Sequence, residues 1–222
     1  MRARLLWLAP LLVVALVPTE SRADSGGWEP IRSEAGIQVS RKVVAGSPFV
    51  AFRGEGDVQA PLLAVADVLV DVPHENQWLD SVREARVLRK VSETEYIMYS
   101  HLGTPPPLTD REFVADVSLT IDPSRQGLTV QMHSVDDGAA PRTGYVRALL
   151  TESSFTLHQN PDGSTHVTAE IHCDPKGNLA GWVVNFFQRN WGVNTLKSLR
   201  RQVAKGEAPV HPLLKERFAA EG

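Results

Sequence analysis

The chain has 222 residues, with 23 basic and 26 acidic side chains, a net charge of −3 and one cysteine, Cys173. That balance, with no basic run, argues against a surface built to hold nucleic acid, and a single cysteine excludes an intramolecular disulfide. Stability must come from an apolar core, and a chain of this length can bury one.

Residues 1–23 read as a secretory signal peptide. Arg2 and Arg4 precede the apolar run 5–17, and Ser21-Arg22-Ala23 sets small residues at the −3 and −1 positions of a cleavage site. The run is 13 residues long, too short for a membrane span, which needs about 20. Cleavage there removes three arginines and one glutamate and moves the net charge from −3 to −5. The expected location is periplasmic or secreted. Residues 24–207 are expected to form one domain, and 208–222, with Pro209 and Pro212, a peripheral tail.

Strands are predicted over 36–43 and 49–58, joined by a Gly-Ser-Pro connection. In 60–78 the pattern changes: Leu62, Leu63, Val65, Ala66, Leu69 and Val70 recur at helical spacing between Pro61 and Pro73. Strand patterns return at 85–91, 96–101, 111–121, 128–134 and 145–159, the last with a bend or bulge near Thr151–Ser153, and a closing strand follows at 164–173. In 111–121, Phe113, Ala115, Val117, Leu119 and Ile121 share one face, while Glu112, Asp116, Ser118 and Thr120 share the other. Cys173 alternates with Val167, Ala169 and Ile171 and reads as a small buried hydrophobe. No βαβ rhythm is present. The fold class is therefore α+β: one curved antiparallel sheet and a long terminal helix to fill its concave side. A sheet of this size curls, and the curl holds either core or ligand.

The terminal helix is predicted over about 179–203, with Asn178 as N-cap. At 100° per residue, Leu179, Trp182, Val183, Phe186, Val193 and Leu196 form a stripe facing the sheet, and Val184, Phe187 and Trp191 lie nearly opposite. A helix apolar on two sides is covered on both. The second cover is expected to be a lid, the loop 135–144, whose Gly138, Pro141 and Gly144 give it hinge residues and little bulk to anchor it. Phe187 and Trp191 would lie beneath it, and Gly192 would ease local bending of the helix.

Several motifs carry a family resemblance: "GIQVSRK" (36–42), "WLDSV" (78–82), "DREFV" (110–114), "GYVRA" (144–148), "DPKGNLAGWVVN" (174–185) and "NTLKSLR" (194–200). In this order the chain resembles the START family, the steroidogenic acute regulatory protein-related lipid transfer domains, from about Trp28 to Lys205. Two departures from the family's pattern are Ala180-Gly181 in place of a proline and Glu112 in place of an aspartate. The resemblance implies a helix-grip fold, with the sheet wrapped round the C-terminal helix and enclosing a hydrophobic tunnel. It implies binding and transfer of one lipid (sterol, phospholipid, fatty acid or similar) and does not by itself imply catalysis. The chain is expected to act as a non-catalytic monomer making transient membrane contact, without a cofactor. The residues expected to meet the ligand are Arg147, Trp182, Phe186, Tyr99 and Met132.

Other chemistry has weaker support. His166 and His172 share a strand face but have no evident third metal ligand. There is no Gly-x-Ser-x-Gly elbow, phosphate loop or HExxH. Asp110, Arg111 and Glu112 read as a charge network pinning a strand start. Two alternatives stay open: a cyclase/aromatase-like enzyme using the tunnel, for which Arg147, Tyr99 and Asp116 are the candidates, and an interaction module with a filled core.

Overall fold

The computed structural model describes residues 27–124, 126–177, 179 and 181–219, with the backbone alone for 181–188 and 219. The predicted signal peptide and the Asn178 cap lie outside these residues. So do the side chains of Trp182, Val183, Val184, Phe186 and Phe187.

One antiparallel sheet dominates. Its strands are β1 (Glu29–Glu34), β2 (Ile37–Val43), β3 (Val50–Val58), β4 (Val82–Lys90), β5 (Glu95–Leu102), β6 (Arg111–Ile121), β7 (Gly127–Ser134), β8 (Val146–Arg147), β9 (Leu149–Gln159) and β10 (Thr165–Asp174). Their order is β1-β2-β3-β10-β9-β7-β6-β5-β4, and β8 pairs in parallel with the start of β6. The sheet curls without closing, and β1 and β4 are its edges. Helix α1 (Leu62–Val70) and a 3-10 turn (Val72–Gln77) link β3 to β4, and α2 (Gly181–Lys205) and α3 (Pro212–Ala219) end the chain. This is the helix-grip arrangement. No helix among the described residues is long and apolar enough to cross a membrane.

Alternation along the strands builds the core. Met98, Ala115, Val117, Leu128, Val130, Phe155, Leu157, Val167 and Ala169 point to the concave side and pack with Val193, Leu196 and Leu199 of α2. Leu196 and Leu199 are fully buried, each contributing about 2 kcal/mol by removal from water. The bulge predicted near Thr151–Ser153 is present: Glu152 pairs with His172 and Leu150 with Cys173, so Thr151 is the extra residue.

Four expectations are corrected. The strand predicted at 145–159 is two, broken at Ala148 so that β8 can pair with β6. The tail is not peripheral: α3 buries Leu213 and Leu214, and the His211 amide donates to Asp67 of α1 at 2.9 Å. Trp191 does not lie under the 135–144 loop but on the inner core, its ring 6.3 Å from that of Phe155. Gly192 is not a free hinge. It lies against Gly54, where a Cβ on Gly54 would come within 2.8 Å of the Gly192 Cα, so the two glycines let helix and strand backbones touch.

Candidate functional site

The start of α2 is fixed by the network foreseen at 110–112. Arg111 donates to the carbonyls of Pro175 at 3.3 Å and Lys176 at 3.4 Å, and also to that of Thr109. This ties the turn before α2 to the first residue of β6. Lys176 and Gly177 both have positive φ there (50° and 75°), a conformation glycine adopts without strain. Asp110 holds His101 at 2.9 Å and the Thr104 amide at 2.8 Å.

Glu112 faces the convex side of the sheet and is 3% exposed. Arg147 donates to its Oε1 through Nε at 3.0 Å and Nη2 at 2.8 Å, while Thr143 and Tyr99 donate to Oε2 at 2.7 and 3.0 Å. Burial alone would raise this carboxyl's pKa, but the hydrogen bonds from Thr143, Arg147 and Tyr99 outweigh it and hold it below the ordinary carboxylate value. Tyr99 packs with Ile97 and Val114, against Val135 and Ala140 of the loop. The loop is fastened on this same side, by Arg147 to the Pro141 carbonyl at 3.1 Å and by Arg89 to Asp137 at 2.9 Å.

Tyr99, Arg147, Gly138, Pro141 and Gly144 thus belong to the convex face or its loop. On β5, Tyr96 and Met98 turn inward, so Tyr99 turns outward. In the polar cluster of Tyr99, Glu112, Thr143 and Arg147 both carboxylate oxygens of Glu112 are met from within the protein, which suits a structural clamp.

The concave side holds a different arrangement. Between α1, the 3-10 turn and the sheet lies a cavity lined by Leu69, Val72, Tyr96, Val117, Met132 and Phe155, among others. Of the residues expected to meet the ligand, Met132 lines it. The free space is about 20 Å³, roughly enough for one water, so a larger guest must part the walls. Met98 and Met132, unbranched and polarizable, are suited to give way.

Two polar residues in this cavity, Glu75 and Trp78, were not among the residues expected to meet the ligand. The Glu75 side chain is half-buried overall, but its Oε2 is shut off from solvent and has no hydrogen-bond partner. Burial pushes the Glu75 carboxyl up to about 7, partly offset by the Ser100 hydroxyl, and burial together with the Glu75 charge raises Tyr96. Trp78 is 5% exposed and its Nε1 is also buried without a partner. A third orphan, the Ser153 Oγ, sits on β9 opposite Met132. Native interiors rarely leave such groups unmet, so a cluster of them marks where a ligand or water belongs. The signal available in the sequence was Trp78 three residues after Glu75, since the two share a face of a 3-10 turn.

A larger open depression, about 470 Å³, lies by Gly36, Asp57 and Arg200. It carries no site: Arg200 already donates to the Asp57 and Ala35 carbonyls at 2.8 and 2.7 Å.

A family model described as START domain matches residues 16–207. An uncharacterized protein of Pseudomonas aeruginosa is 26% identical over 196 residues, covering 88% of this chain and 96% of that protein. The phosphatidylcholine transfer protein of Mus musculus is 23% identical over 177 residues, covering 78% of this chain and 81% of its own. Among solved structures, the STAR-related lipid transfer protein of Xanthomonas axonopodis superposes with a TM-score of 0.72. It is 29% identical and covers 80% of this chain and 99% of that chain.

Proposed function

We propose a lipid-binding function from one premise: the chain belongs to the START domain family. The protein takes one lipid into the concave cavity between α1, the 3-10 turn and the sheet and carries it without altering it. The observation that carries this reading is the cavity itself, whose apolar wall of Val72, Met98, Val117 and Phe155 surrounds the unmet polar atoms of Glu75 and Trp78. A filled core would have no use for such atoms, because burying them unpaired costs stability.

Export supports the same reading. The charged start, short apolar run and Ser-x-Ala site favour cleavage before Asp24 and a periplasmic or secreted location. Lipid exchange then needs transient contact with a membrane, made through apolar surface because the mature chain is acidic.

A catalytic reading rests on one feature, the Glu75 carboxyl, since a buried acid with a pKa of about 7 could exchange a proton with a substrate. Native mass spectrometry of the mature protein, followed by lipid extraction, separates the readings. We expect one lipid per chain, recovered with the same structure as the lipid supplied in vesicles. A converted product would favour the enzyme, and failure to bind across sterol, fatty acid and phospholipid vesicles would overturn the proposal.

A further inference from the structure

We propose that Glu75 and Trp78 select a lipid whose buried end is an uncharged hydroxyl group. This rests on the lipid-binding reading above and narrows it to a class of ligand.

Donors and acceptors in the cavity match one kind of head group. Glu75 Oε2 offers an acceptor without a donor, and Trp78 Nε1 offers a donor without an acceptor. Both residues line one cavity and stand three residues apart across the end of one 3-10 turn. The turn is fixed by its own backbone, as the Glu75 carbonyl accepts from the Trp78 amide at 3.3 Å and the Leu79 amide at 3.0 Å. A hydroxyl group both donates and accepts, so a single one can meet both needs: its proton goes to Oε2 and its lone pair receives the indole N–H.

Other head groups match less well. An ether or ketone accepts from Trp78 but leaves Glu75 unmet. An ammonium donates to Glu75 but leaves the indole unmet. A phosphate or carboxylate brings a second negative charge to an ionised Glu75, and neither Lys nor Arg lines the cavity among the described residues. The remaining wall is apolar but for the Tyr96 phenol, so no other charge is present to reverse this preference.

Three probes with one tail isolate the head: cis-parinaryl alcohol, its methyl ether, and cis-parinaric acid, each titrated by its own fluorescence at pH 8. The alcohol should bind wild-type protein about tenfold or more tighter than the ether, and tighter than the acid, because a site built around a hydroxyl penalises analogues that leave its polar groups unpaired. In Glu75→Leu the alcohol-to-ether ratio should fall towards one while both probes still bind. Leucine puts no charge in the cavity, so folding should survive. Trp78→Phe should instead weaken alcohol and ether alike and leave their ratio near the wild-type value, because both accept from the indole N–H. Equal binding of alcohol and ether to the wild type, or tighter binding of the acid, overturns the head-group assignment and leaves the lipid cavity standing. Failure of all three probes, and of sterol and phospholipid vesicles, removes the cavity reading and this inference with it.

Discussion

Gly192→Val should lower the melting temperature by roughly 10 °C, the largest effect expected of any single substitution made to test the fold. A Cβ at position 192 meets the Gly54 Cα at 3.0 Å and the Gly54 amide nitrogen at 3.2 Å, both backbone atoms that no rotamer change can move aside. Helix and strand must therefore separate along a contact that also seats Val193 and Leu196 in the core. Overpacking of this kind costs about 3 kcal/mol, and a domain of this size loses about 2–4 °C per kcal/mol. Gly192→Ala is the informative companion. Helix propensity alone would make alanine stabilising by about 1 kcal/mol, so a melting temperature that rises would show that the close contact does not exist. Gly138→Ala, with nothing within 4 Å of its Cβ, should change stability by less than about 0.5 kcal/mol.

Glu75→Gln should flatten the pH dependence of stability between about pH 4.5 and 7. In the folded protein burial raises this carboxyl from 4.5 to about 7, so the folded state holds a proton that the unfolded chain releases. The resulting stabilisation is fully present below pH 4.5 and is lost as pH rises through 7. Its full size is about 3 kcal/mol, from 1.36 kcal/mol per pKa unit. Urea unfolding at pH 5 and pH 8 should then show the wild type losing roughly 2 to 3 kcal/mol more than Glu75→Gln over that interval. Asp67, also raised by burial, is common to both proteins and cancels in the difference. Equal losses would place the Glu75 carboxyl in water and remove the polar half of the site.

The strands with one apolar face were legible in the sequence, and so was the second half of α2, because alternation and helical spacing report burial directly. β1 was not, since Glu29-Pro30-Ile31-Arg32-Ser33-Glu34 is an edge strand with no apolar alternation. α3 was missed because Pro209 and Pro212 read as breaks, although Pro212 opens the helix that buries Leu213 and Leu214. The site was half legible. Met132 was expected at the ligand and lines the cavity, but β5 is covered on both sides, with Tyr96 and Met98 inward and Ile97 and Tyr99 under the loop. A strand apolar on both faces does not reveal which face is concave, and that ambiguity hid the outward turn of Tyr99. Glu75 was hidden for the opposite reason: in "HENQW" it sits among polar neighbours, and only the 3-10 turn carries it inward.

The central claim is that lipid occupies the concave cavity, and photo-crosslinking tests it most directly. A long-chain alcohol bearing a diazirine on its tail is bound at one equivalent, irradiated, and the modified peptides are identified by mass spectrometry. The account predicts adducts on residues of the inner wall, Met98, Val117, Met132 and Phe155, competed away by unlabelled alcohol. Adducts confined to the convex face around Tyr99, Ala140 and Tyr145, or labelling that excess alcohol does not reduce, would contradict it.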